Sequence, residues 1–200
     1  LHRYLRLRKQ VLGLDELHMY DIHVPLVMET ADTVPYAEAQ GQVLEAFAPL
    51  GEEYVAAARS GLGSRWVDVY ETPNKRSGAY SWGAYDTNPF ILLNYQETLR
   101  DVYTLAHEMG HTMHSYFTRR TQPYVYGSYT LFVAEVASTL NEALLTHYLL
   151  EHTTDPAVVC SRPRTEVAAV GEGTSGDVQL TLSDGEVLEV DHVIAATGYQ

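Results

Sequence analysis

The segment "TLAHEMGHTMHSY", residues 104–116, carries three histidines and a glutamate within eight positions. A helix turns by about 100° per residue, so His107 and His111, at i and i+4, lie on one face. Two imidazoles at this spacing can bind one cation, and H-E-x-x-H on a helix is typical of a zinc site. Glu108 lies beside that cation, where it can accept a proton from water.

The same segment has the apolar pattern of a packed helix. Leu105, Met109 and Met113 supply apolar side chains along it. The alternative interpretation is a cluster of structural histidines that holds no metal. The helical context of the H-E-x-x-H sequence favours the metal site.

Two histidines leave a catalytic zinc site incomplete, because such sites use three protein ligands and keep one position for water. His114 lies a further turn along the same helix, so we expect the third ligand from another element. Glu135 is the better candidate, because an acid in a buried helix needs a cation or a hydrogen-bonding partner. The apolar residues that indicate burial are Phe132, Val133, Val136 and Leu140. A salt bridge is the alternative role for Glu135.

Glu142 follows Glu135 by seven residues and returns to the same helical face. It can accept a hydrogen bond from a ligand imidazole, which would orient that ring. A solvated or capping acid is the alternative.

The composition excludes several classes of partner. A formal net charge of −13 argues against nucleic acid and against an anionic membrane. No run of 18 apolar residues is present, so a membrane-spanning helix is not expected. The single cysteine, Cys160, cannot form an internal disulfide, which fits a reducing cytoplasm. A nucleophilic role for Cys160 is less favoured, because its neighbours supply no base.

The chain changes character near residue 152. Fourteen of the 15 tyrosines, and every methionine, tryptophan and phenylalanine, precede residue 150. Helical periodicity ends in the same region, where Asp155 and Pro156 can break a helix. We therefore expect a helical domain over residues 1–152, a junction over 153–159 and a β-rich segment over 160–200.

The first domain is predicted to be mainly α, with a small β hairpin region. Helices are expected at residues 1–13, 36–62 (divided near Pro49), 98–117 and 128–151. Residues 66–71 and 90–96 have the composition of strands. Between them, "KRSGAYSWGAYDTNP" suits a turn or an exposed edge.

Five segments together resemble oligoendopeptidase F, a zinc metallopeptidase of the thimet oligopeptidase superfamily. They are "LHRYLRLRKQVLGLDELHMYDIHVPL", "KRSGAYSWGAY", "LLNYQ", "TLAHEMGHTMHSY" and "QPYVYGSYTLFVAEVASTLNEALL". The resemblance covers residues 1–152 and implies a helical zincin-type catalytic core that encloses a channel for short peptides. Because the chain starts within a helical pattern and the resemblance stops near residue 152, we expect this core to be truncated at both ends.

The resemblance implies one zinc ion per chain, with His107, His111 and Glu135 as ligands and Glu108 as general base. His114 matches a family position that is not a ligand. With Glu142, it is expected to support the ligands rather than to bind the metal.

The implied function is hydrolysis of short oligopeptides by metal-activated water. Gly78 and Tyr80 lie in a stretch that resembles the strand edge pairing with an extended peptide. Tyr124, Tyr126 and Tyr129 can line the cleft, or can instead pack under a loop. The family's downstream histidine and tyrosines, which stabilise the oxyanion, have no counterpart here. A chain that binds zinc without catalysis is therefore an alternative.

The last 40 residues predict strands in "TEVAAV", "VQLTLS" and "EVLEVDHVIAAT", with a turn at Asp184-Gly185. A G-x-G-x-x-G pattern at Gly171, Gly173 and Gly176 is interpreted as accidental, because a strand follows it where a dinucleotide site needs a helix. Residues 182–200 resemble the end of a flavoprotein oxidoreductase domain, with Ala196, Thr197 and Gly198 as its A-T-G motif. A fragment of a flavin- or NAD(P)-dependent oxidoreductase fused to an incomplete peptidase is thus the alternative function, and no dinucleotide-binding residues are assigned.

Overall fold

The computed structural model describes residues 2–24, 33–152, 167–172, 178–182 and 187–190. Several features expected from the sequence lie outside these ranges. They are the 153–159 junction, Cys160, Gly173, Gly176, the Asp184-Gly185 turn and the A-T-G motif at 196–198.

The first domain is mainly helical, as expected. The described α-helices are α1 (His2–Val11), α2 (Tyr36–Ala46), α3 (Glu52–Leu62), α4 (Leu99–Thr121) and α5 (Leu131–His152). A short 3-10 turn over Ala48–Leu50 and Gly51, with φ of 89°, separate α2 from α3, which confirms the division at Pro49. None of the described helices combines the length and apolar character that a membrane crossing requires.

Helix α4, which carries the H-E-x-x-H sequence, begins at a well-defined cap. The Thr98 side chain accepts a hydrogen bond from the Asp101 N–H, and the Asp101 carboxylate accepts one from the Thr98 N–H. This reciprocal pair satisfies backbone donors that the first helical turn leaves unpaired. The helix then runs four residues beyond the predicted end at residue 117.

A small sheet packs against α4. Its strands are β1 (Val67–Asp68), β2 (Tyr80–Trp82) and β3 (Phe90–Leu92), in the order β1-β3-β2. β1 is parallel to β3, whereas β2 is antiparallel to it and pairs Ser81 with Ile91. β2 is therefore an edge strand of this sheet, which agrees with the exposed edge, one of the two alternatives for "SGAYSWGAY".

The core lies between the helices. Leu105, Met109 and Met113 of α4 are fully buried, as expected, and they meet buried side chains of α2, α3 and α5. The burial predicted around Glu135 is wrong in part, because Phe132 is 81 % exposed and Val136 is 38 % exposed.

Small residues, rather than the large apolar ones, form the buried face at the start of α5. They are Ala134, Ala137 and Ser138. Only small side chains fit there, because α4 and α5 approach each other closely. A Cβ added to Gly110 of α4 would lie 2.6 Å from the Cα of Ser138 and 2.7 Å from the carbonyl oxygen of Ala137. Gly110 therefore sets how near the two helices can come.

We expect Gly110→Ala to destabilise the fold by about 1–3 kcal/mol, because backbone atoms of α5 cannot move aside as a side chain can. Gly41→Ala on α2 is the matched control, since an added Cβ there meets nothing within 4 Å. The control substitution should raise the free energy of unfolding by up to about 1 kcal/mol, because alanine has the higher helix propensity. Urea unfolding measures both free energies. Equal stability of the two variants would contradict the close helix contact.

The described part of the C-terminal segment is a three-stranded antiparallel sheet. It comprises β4 (Val167–Glu172), β5 (Val178–Leu182) and β6 (Val187–Val190), in that order. Each of the three predicted segments contains a described strand, and residues 191–197 of the third segment lie outside the described ranges. A strand, β5, is the next described element after Gly171, as expected if the glycine pattern is accidental.

Candidate metal centre

The structure brings together the three residues predicted as metal ligands. Helix α4 carries His107 and His111, whose Nε2 atoms lie 3.1 Å apart. Helix α5 carries Glu135, whose Oε2 lies 3.6 Å from Nε2 of His107 and 3.7 Å from Nε2 of His111. Within the described ranges, no other set of three histidine, cysteine, aspartate or glutamate side chains converges in this way.

The spacing and chemistry of these atoms fit a small divalent cation. Zinc bonds to histidine nitrogen and carboxylate oxygen at about 2.0–2.2 Å, which places tetrahedral ligands about 3.3–3.6 Å from one another. The separations of 3.1, 3.6 and 3.7 Å are close to these values. Two imidazole nitrogens and one carboxylate oxygen are also a donor set that catalytic zinc sites use.

Glu142 lies behind the first histidine of the cluster. Its Oε1 accepts a hydrogen bond from Nδ1 of His107. This hydrogen bond raises the pKa of His107, against the opposing effect of burial. With the proton on Nδ1, the lone pair of Nε2 is available to the cluster. The structure thus brings Glu142 to one of the two imidazoles that were predicted as metal ligands.

We expect Glu142→Gln to weaken zinc binding by about 10–100-fold, because removing such a partner frees the imidazole to rotate and lowers its basicity. Glu151→Gln is the matched control, because Glu151 lies on the same helix but outside the cluster. Its Oε1 is 3.5 Å from Nε2 of His147. Competition with a chromogenic chelator measures both affinities. Unchanged affinity of Glu142→Gln would contradict the orienting role.

Glu108 is buried beside the cluster, with 7 % of its surface exposed. Burial raises its pKa, and the charge of Glu135 acts in the same direction. His107 and a hydrogen bond from the Ser81 N–H oppose this shift. The other carboxylate oxygen, Oε2, has no hydrogen-bond partner among the described residues. A buried carboxylate with one free oxygen is suited to proton transfer.

The edge strand β2 is hydrogen-bonded to α4, the helix that carries Glu108. The Ser81 hydroxyl lies 2.8 Å from the Thr112 hydroxyl of α4, and the Ser81 N–H donates to Glu108. Neither Ser81 nor Thr112 stands out in the amino-acid sequence. The sequence offers little indication of their contact, because a serine and a threonine 31 residues apart form no recognisable pattern. Tyr80 is 45 % exposed beside them, and Gly78 has a φ of 90°.

The tyrosines predicted to line a cleft differ in their surroundings. Tyr124 and Tyr126 are 76 % and 68 % exposed on the 3-10 turn that joins α4 to α5. Tyr129 instead stacks on His114, with ring centroids 3.6 Å apart and planes within 9°. His114 is buried and lies outside the ligand cluster. Tyr129 therefore contacts α4 through its ring, and the role of all three tyrosines in substrate binding stays a prediction.

One helix carries two histidines and a buried glutamate, and these face a carboxylate from the next helix. This is the arrangement of a helical metallopeptidase. Residues 1–157 match peptidase family M3, and the chain belongs to that family. The resemblance that was noted over residues 1–152 is thereby confirmed. The family match ends at residue 157, so the likeness of residues 160–200 to a flavoprotein, and the division into three segments, stay predictions.

Two curated relatives agree with this assignment. The chain is 57 % identical over 155 residues to oligopeptidase PepF of Bacillus subtilis (strain 168), covering 78 % of the chain and 23 % of the relative. It is 52 % identical over 155 residues to an oligoendopeptidase F homologue of Lactococcus lactis subsp. lactis (strain IL1403), covering 78 % and 26 %. The chain thus spans about a quarter of the length of these relatives.

A solved structure shows the same fold. The crystal structure of a candidate peptidase from Chlamydophila abortus superposes with a TM-score of 0.69 at 44 % sequence identity. The match covers 78 % of this chain and 26 % of that one.

Proposed function

We propose that this chain carries the zinc centre of an M3 endopeptidase that hydrolyses short oligopeptides. The observation that supports the proposal most directly is the convergence of His107, His111 and Glu135 beside the buried carboxylate of Glu108. Membership of family M3 and the oligopeptidase relatives support the same reaction.

In this proposal the three converging residues hold one zinc ion. When bound, zinc supplies a Lewis acid that polarises the scissile carbonyl and makes a water molecule more acidic. Glu108 then accepts a proton from the attacking water at its carboxylate and delivers it to the leaving amine nitrogen. Burial raises the pKa of Glu108, which makes its carboxylate a stronger base toward the water proton.

The substrate in this proposal is an extended peptide. The exposed edge of β2 (Tyr80–Trp82) can hydrogen-bond to a peptide backbone, and Gly78 and Tyr80 lie at its start. Main-chain pairing tolerates many side chains, so we expect broad sequence preference. Tyr124 and Tyr126 are exposed and can contact the peptide, and Tyr129, which stacks on His114, can line the cleft beside them.

Cleavage of a quenched fluorescent peptide of about ten residues tests the proposal directly. We expect turnover that a chelator abolishes and that added zinc restores. Turnover that persists without metal would contradict the zinc mechanism. Zinc binding with no turnover would instead favour the alternative, a catalytically incomplete zinc-binding chain.

A further inference from the structure

A buried serine contacts the carboxylate ligand of the proposed centre. The Ser138 hydroxyl lies 2.9 Å from Oε2 of Glu135 and 3.1 Å from the carbonyl oxygen of the same residue. Oε2 is the oxygen that faces Nε2 of both His107 and His111. Ser138 itself is fully buried. The hydroxyl therefore reaches the very atom that would bind the metal.

The carboxylate of Glu135 needs such a contact, because packing does not hold it. The Glu135 side chain is 45 % exposed, and its neighbours Phe132 and Val136 on α5 are exposed as well. An exposed glutamate samples many rotamers, and binding a metal restricts it to one. A hydrogen bond from a buried group reduces the entropy lost at that step.

Ser138 is in turn held against the helix that carries the histidines. A Cβ on Gly110, between His107 and His111, would lie 2.6 Å from the Cα of Ser138, so the two backbones are in contact. The position of the Ser138 hydroxyl is therefore tied to α4. Through it, the carboxylate of Glu135 is placed relative to the two imidazoles.

We infer that Ser138 is a positioning residue of the metal centre, which acts by holding Oε2 of Glu135 toward the histidines. This inference rests on the proposed zinc site and extends it to a residue that does not bind the metal. Removing the hydroxyl leaves the ligand set complete but frees the carboxylate. Metal affinity should then fall while all three ligands remain.

The test is the zinc dissociation constant of the full 200-residue chain, measured without peptide by competition with a chromogenic chelator. We expect Ser138→Ala to weaken zinc binding by about 10–100-fold, as for other residues that orient metal ligands. Thr139→Val is the matched control. The Thr139 hydroxyl bonds to the Glu135 carbonyl oxygen at 2.6 Å and is exposed, so it contacts the same residue only at the backbone. The zinc affinity of Thr139→Val should equal that of the unsubstituted chain.

Each outcome has a distinct meaning. Equal zinc affinity of Ser138→Ala, Thr139→Val and the unsubstituted chain would overturn the positioning role and leave the zinc site intact. An unsubstituted chain that binds no zinc would overturn the proposed function and this inference together. If Ser138→Ala is less stable, the zinc-induced rise in Tm is compared with each variant's own metal-free form. A smaller rise for Ser138→Ala supports the inference, and an equal rise overturns it.

Discussion

Glu108→Gln is expected to abolish peptide hydrolysis and to leave zinc bound. The amide has nearly the shape of the carboxylate and can still accept the hydrogen bond from the Ser81 N–H, but it cannot take a proton from water. Loss of a general base lowers turnover by about 10²–10⁴-fold. The measurement is cleavage of the quenched fluorescent peptide, together with the zinc content of the purified variant.

Glu53→Gln, an exposed acid on α3, controls for the loss of a negative charge and should retain full turnover. The stability of Glu108→Gln should not fall, because burial already disfavours the charged carboxylate at this position. Turnover of Glu108→Gln equal to that of the unsubstituted chain would remove this residue from the reaction. Zinc loss in the same variant would mean that Glu108 supports the metal instead.

Glu135→Gln is expected to lose zinc, and hydrolysis with it. An amide oxygen carries no charge and is a much weaker ligand than a carboxylate, so the two histidines alone remain. We expect zinc affinity to fall by more than about 100-fold, beyond the loss that follows from removing an orienting partner. Zinc content after dialysis and chelator competition measure the effect.

The two glutamate variants should therefore separate metal binding from catalysis. Glu151→Gln, also on α5, should keep both zinc binding and hydrolysis, since Glu151 lies outside the cluster. Full zinc occupancy in Glu135→Gln would make the ligand assignment wrong. Glu142 could not simply replace Glu135, because its carboxylate contacts Nδ1 of His107, on the other side of the ring from Nε2.

Local patterns predicted the half of the site that lies on α4. The i, i+4 spacing of His107 and His111 places both on one face whatever surrounds the helix, because helical geometry depends on neighbours within about one turn. The helical spacing of Leu105, Met109 and Met113 likewise predicted which residues of α4 are buried. The division between α2 and α3 followed from Pro49, whose ring removes a helical hydrogen bond.

Glu135 was identified partly for a reason that the structure contradicts. Its apolar neighbours suggested a buried helix, yet Phe132 and Val136 are exposed. What brings Glu135 to the histidines is the close contact of α5 with Gly110. That contact depends on the packing of two helices, and periodicity within one of them does not show which face is covered.

The sequence by itself determined the helical class and the histidine pair with Glu108 beside it. Only the tertiary structure decided that the Ser138 hydroxyl donates to the carboxylate of Glu135 and that the Ser81 N–H donates to Glu108. Helix formation and side-chain spacing are local properties, and a single segment encodes them. Contacts between α4, α5 and β2 join residues tens of positions apart, and their distances depend on how the whole core packs.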